Sequence, residues 1–124
     1  EGIFRFKPKP YHTAFPGVVY GGLLASLIDC HSIGTAIAAA YDTEGRNPGT
    51  EPEITYVTGN LNVTYLLPTP MDTELTLKAK IKEQKGKKTI VTCSLFAGDK
   101  ECVRGEVVGI RVPSRRNSLK DVKP

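Results

Sequence analysis

A lone carboxylate stands in the middle of an apolar run. Asp29 lies within LLASLIDCHSIGTA. Taking such a charge out of water costs several kcal/mol unless it is paired or opens onto a polar cavity. Its neighbours at helical spacing are Ala25, Ser26, Ser32, Ile33 and Ala36. Most are small, and they leave room beside the carboxylate. Two readings stand side by side: a structural Asp, capped or salt-bridged at a subunit contact, and a general base facing a pocket. The small neighbours favour the pocket.

Gly21-Gly22 sits where the apolar run begins, eight residues before Asp29. Bare N–H groups at a helix start attract a negative oxygen, and the helix dipole adds to the attraction. Glycine also lets a ligand approach the backbone closely. A glycine pair is ordinary at a loop-to-helix turn. Followed by a carboxylate on the same helix, it offers an oxyanion hole and a base together. His31 follows Asp29 by two residues and so points to another helix face, which reads as a core or interface histidine. The other histidine, His12, is not at ligand spacing from it, and no metal site is expected. Lys85, Lys87 and Lys88 surround Gly86 in a turn signal. Such a cluster is either a solvated turn or a contact for the phosphates of an anionic ligand. Arg104 and Arg111 are further cationic candidates. Asn62-Val63-Thr64 matches a glycosylation acceptor but falls within a strand pattern, so it is read as a chance match.

Elements must hold these residues in place. From Gly21, Leu23, Leu24, Leu27 and Ile28 recur at helical spacing, and small residues follow to Ala40. The segment is apolar nearly all round, which predicts a core helix of about 30 Å. Residues 2–7 read as a short first strand, and 8–19 as a loop with a Pro16-Gly17 turn. Residues 42–53 are turn-forming. Four segments of period two follow. Leu61, Val63, Tyr65 and Leu67 mark the first; Leu75, Leu77, Ala79 and Ile81 the second; the third spans Thr89 to Phe96 and the fourth Cys102 to Val112. The connections PTPMD, EQKGKK and AGDK are short and predict an antiparallel meander. The result is an α+β domain over residues 1–112 with a basic C-terminal tail over 113–124. One sheet covers one side of the helix, so the sheet curls around it or a second subunit supplies the other wall.

The 124 residues allow one domain, and 40% hydrophobic with 24% charged content fits a globular protein. Asp29 and His31 at mid-depth argue against a membrane span. Cys30, Cys93 and Cys102 are odd in number and irregularly spaced, which argues against a disulfide scaffold and for buried thiols in a reducing, cytoplasmic setting. A net charge of +4 favours anionic partners. Nucleic acid ranks last among these, because neither paired RNA-binding aromatics nor a recognition helix is present.

The stretch FPGVVYGGLLASLID, followed by VTGNLNVTYLLPTP, resembles hot-dog thioesterases of the phenylacetate-degradation type, in the 4-hydroxybenzoyl-CoA thioesterase superfamily. The subgroup with mammalian mitochondrial acyl-CoA thioesterases is especially similar. The shared pattern is HGG, an Asp eight residues after the first Gly, and a Thr-x-Asn-Leu-Asn strand ending in Pro-x-Pro. The likeness runs from about Phe15 to Val112. It implies a long central helix wrapped by a curved antiparallel sheet, and hydrolysis of acyl-CoA to acid and coenzyme A. It implies that Gly21 N–H polarises the thioester carbonyl, Asp29 acts as general base or nucleophile, and Thr58 helps hold the water. Gly22, Asn60 and the three turn lysines become candidate substrate contacts. No cofactor is implied beyond the coenzyme A ester as substrate. The implied assembly is a homodimer or a dimer of dimers, with Gly21 and Asp29 from different subunits. Two positions depart from the pattern. Tyr20 replaces the histidine, bringing a hydroxyl donor to the catalytic set in place of a titrating imidazole. Ala14 stands where many relatives carry Asn or Gln; His12, close by in sequence, reads first as a free-standing surface histidine and second as a side chain that compensates. These departures motivate the alternative of a non-catalytic acyl-CoA-binding protein on the same fold.

Overall fold

The structure, a computed structural model, describes residues 2–9, 13–15 and 17–113. His12, Pro16 and the tail beyond Pro113 lie outside the described residues, as do the side chains of 13–15.

One long helix, α1 (Gly21–Thr43), lies on one face of an antiparallel sheet. The helix contains no proline and is mostly Ala, Leu, Ile and Ser, so nothing interrupts it until its C-terminus. There the Arg46 N–H reaches Tyr41 O and the Gly45 N–H reaches Asp42 O. Gly45 adopts φ +66°, so the chain leaves by the left-handed turn that glycine favours. Leu24, Ile28, Ser32, Ala36 and Ala40 are buried at four-residue intervals. The opposite stripe, Gly22, Ser26, Cys30, Gly34 and Ala38, is exposed and small throughout. By length and composition α1 could cross a membrane, but its apolar character is used here against the sheet.

Five strands form that sheet: β1 (Gly2–Phe6), β4 (Thr55–Tyr65), β5 (Leu75–Lys85), β6 (Lys88–Ala97) and β7 (Lys100–Val112), in the order β1-β5-β6-β7-β4. A small ribbon of β2 (Thr13–Phe15) and β3 (Val18–Val19) precedes the helix. This is the helix-and-sheet arrangement expected of the hot-dog fold. Leu75, Leu77, Ala79, Val91, Cys93, Leu95, Val103 and Val107 meet the helix and are fully or almost fully buried. Burial pushes the Cys93 thiol up to about 11. Gly105 brings β7 close to α1, since a Cβ there would strike Ile28.

The structure departs from the sequence-based expectations in several places. β4 does not pair with β5; it pairs with β7 at the far edge. PTPMD therefore belongs to a crossover, residues 66–74, not a hairpin. That length of chain can span about 30 Å, against roughly 15 Å for three strand spacings. The 8–19 segment contains β2 and β3 within the expected loop. EQKGKK is mostly strand: Lys85 pairs with Lys88, leaving Gly86, at φ +60°, and Lys87 as the turn. α1 continues to Thr43, past the expected loop start. Of the three thiols, Cys93 and Cys102 are buried but Cys30 is exposed.

Candidate active site

Asp29 sits one residue past the buried Ile28, on the flank of α1, and is half-buried. It meets β4 there. Thr58 Oγ1 donates to Asp29 Oδ1 at 2.6 Å. A bulge makes this possible. Tyr56 and Thr58 pair with Arg111 and Gly109, whereas Leu61 and Val63 pair with Val107 and Gly105, so the register shifts between Thr58 and Asn60. The extra residue switches which positions face the helix, from even numbers to odd. Thr58 and Leu61 thus both turn toward α1. Asn60 pairs with Val108, the position between the buried Val107 and Gly109, and so lies on the other face of the sheet.

Gly21 opens α1 and lines a cleft of about 430 Å³. The other walls are Val18, Val19, Leu24, Tyr65 at the end of β4 and the crossover from Leu66 to Thr69, mainly apolar. Tyr20 is the N-cap residue, yet its side chain makes no capping hydrogen bond, and no acid occupies the first turn. Tyr20 is 40% exposed, and its ring lies beside Gly22, where a Cβ would come within 3.1 Å of it. Asp29 does not line this cleft. Eight residues of helix put it about 12 Å along the axis from Gly21. The protomer thus brings Asp29 and Thr58 together, and separates that pair from Gly21, Gly22 and Tyr20.

The lysines stand at the β5–β6 turn, all exposed. The register runs Thr58 to Gly109 to Thr89, and Lys88 is the residue next to Thr89. The turn is therefore at the same end of the sheet as the Asp29–Thr58 pair. Arg104 and Arg111 are engaged elsewhere, in ion pairs with Glu101 and Glu44. Paired with Arg46 as well, the Glu44 carboxyl is held below its usual range. His31 Nε2 lies 3.0 Å from Gly2 O, and the ring stacks on the exposed Phe4, so this half-buried histidine ties β1 to α1 at the surface, outside the core. Among the described residues no group of His, Cys, Asp and Glu could hold a metal. Sequence reasoning misses Tyr65, whose hydroxyl donates to Gly21 O at 2.7 Å. Its place in an alternating strand marks it only as one apolar member among several.

Comparison with known proteins bears on the family and the fold. A family model described as the thioesterase superfamily matches residues 16–103. Acyl-coenzyme A thioesterase THEM4 of Bos taurus is 23% identical over 87% of this chain, and that of Xenopus laevis 27% over the same share. The chain spans about two fifths of the length of these relatives, 39% and 43%. A crystal structure of a thioesterase superfamily protein from Shewanella loihica is 48% identical, with a TM-score of 0.72 over 90% of this chain and 82% of that one. A protein from Bacillus halodurans solved with CoA shares the fold at 20% identity, with a TM-score of 0.73 over 89% of this chain and 66% of that one. On the strength of the family match and the fold, the chain belongs to the thioesterase superfamily.

Proposed function

We propose that this protein hydrolyses acyl-CoA thioesters, with Asp29 as general base and Gly21 N–H as oxyanion donor from a second copy of the chain. One observation carries the reading: a half-buried helix carboxylate held by a strand threonine, Thr58 to Asp29 at 2.6 Å. Asp29 accepts a proton from water while the water oxygen bonds to the thioester carbon. Charge then builds on the carbonyl oxygen, where an uncapped helix N-terminus stabilises it. Collapse breaks the carbon–sulfur bond, and the proton on Asp29 passes to the departing thiolate. Thr58 fixes the carboxylate through its hydroxyl hydrogen and keeps lone pairs to hold the water.

Two features support the second copy. The base and the oxyanion donor, about 12 Å apart on one helix, cannot both reach one carbonyl. A two-fold partner with its helix running the other way brings one end opposite the other. β4 is an edge strand of 11 residues with Val57, Leu61 and Tyr65 exposed. A long edge with a free row of backbone N–H and C=O groups is a template for pairing with another chain. The same-end placement of Lys85, Lys87 and Lys88 suits the phosphates of coenzyme A. The apolar cleft beside Gly21 suits the acyl chain.

The direct test is release of free coenzyme A thiol from short, long and aromatic acyl-CoA esters. Turnover of at least one class is expected. Calorimetric binding of these esters without turnover of any would instead favour the non-catalytic acyl-CoA binder.

A further inference from the structure

We propose that Tyr65 is a positioning residue that holds the Gly21 end of α1 in its oxyanion-binding geometry. The inference rests on the thioesterase reading above. Two consecutive glycines at a helix start have the greatest backbone freedom, and a frayed first turn scatters its N–H groups. An oxyanion hole works only when its donors are fixed before charge develops. The usual remedy is a capping side chain that accepts from the first N–H groups. That remedy would occupy the donors the reaction needs. Here the N-cap residue, Tyr20, makes no such bond. The tie is made to the carbonyl instead: the Tyr65 hydroxyl donates to Gly21 O at 2.7 Å, from a strand 44 residues away. The Tyr65 ring also packs over Gly21, where an added Cβ would come within 3.2 Å of the hydroxyl oxygen. Contact and hydrogen bond together fix the first turn through its carbonyl, at the wall of the cleft that Gly21 and Tyr65 both line. Gly21 O and Gly22 N–H belong to one peptide plane, so this bond orients the second amide as well.

The test is Tyr65→Phe, which keeps the ring and removes the hydroxyl. The oxyanion hole contributes to the transition state more than to substrate binding, so kcat is expected to fall about tenfold with KM and coenzyme A affinity unchanged. Hydrogen exchange at the Gly21 and Gly22 amides is expected to speed up, with exchange elsewhere in α1 unaltered. Wild-type kcat in the variant would overturn the proposal. If the wild type hydrolyses no thioester, the thioesterase reading has failed on its own account. The exchange result then decides alone, and unchanged exchange at both glycines would overturn the tie.

Discussion

Replacing Asp29 with asparagine is expected to lower thioester hydrolysis by about 10²- to 10⁴-fold, the usual contribution of a positioned general base. The substitution changes little else. The amide keeps an oxygen to accept from Thr58, so the helix–strand contact at this point survives. The small neighbours on the helix already leave space around position 29, and asparagine has nearly the volume of aspartate. Acyl-CoA binding and melting temperature should therefore stay close to wild type, while kcat collapses. Steady-state kinetics with a thiol-reactive dye, alongside calorimetric titration with coenzyme A, separates the two effects. An Asp29→Asn variant that still turns over at wild-type rate would remove Asp29 from the mechanism.

Substitution of Gly105 with valine should be the most damaging change to the fold. Gly105 is buried on β7, and a Cβ there would strike Ile28, which is itself wholly buried. On its other side the same Cβ would meet Asn62 O at 3.4 Å. Neither neighbour can yield easily: Ile28 is wedged against the sheet, and Asn62 O belongs to the paired strand β4. Overpacking of this kind costs about 3 kcal/mol at its upper range. For a domain of this size that lowers Tm by roughly 10 °C, measured at one fixed protein concentration. The functional effect follows from the geometry. Ile28 precedes Asp29, so pushing α1 off the sheet also separates Asp29 from Thr58. Thermal unfolding followed by circular dichroism, with activity measured well below Tm, checks both parts. A Gly105→Val variant of native stability would mean that α1 does not approach β7 as described.

Much of the site is legible in the sequence because its signal is local. A charge amid Leu, Ile and Ala stands out on composition alone, and the helix that carries it is announced by spacing. Gly21-Gly22 marks the start of that helix. Thr58 and its role come from the resemblance, and the structure places its hydroxyl against Asp29. Asn60, two residues on, lies on the other face, because the bulge falls between them. That bulge also explains why the strand pattern is visible only from Asn60 onward. Before it, Tyr56 and Thr58 face the helix on even numbers; after it, Leu61, Val63 and Tyr65 do so on odd ones. A period-two pattern cannot run through such a shift, so residues 55–59 fall outside it.

The crossover is hidden for a different reason. Prolines and a short polar linker serve a hairpin and a chain reversal across a sheet end equally well. What distinguishes them here is tertiary: Val19 N–H bonds Thr69 O, Met71 N–H bonds Gly17 O, and Leu66 and Leu67 N–H both reach Cys102 O. These bonds pin residues 66–71 beside the helix start, where they wall the cleft. Tyr65 is invisible as a functional residue for the same cause, since its partner Gly21 is distant in sequence. The exposure of Cys30 has a counterpart in the whole small-residue stripe of α1, which an isolated protomer leaves uncovered.

Mixed dimers test most directly whether one site is built from two copies of the chain. Asp29→Asn and Gly21→Val, prepared separately, should each be nearly inactive. Co-folded in equal amounts, about half of the dimers carry one copy of each. In those dimers one site holds both lesions and the other holds neither, so the mixture should recover about a quarter of wild-type activity. A mixture as inactive as its parents, with mixed dimers verified by native mass spectrometry, would contradict the shared site.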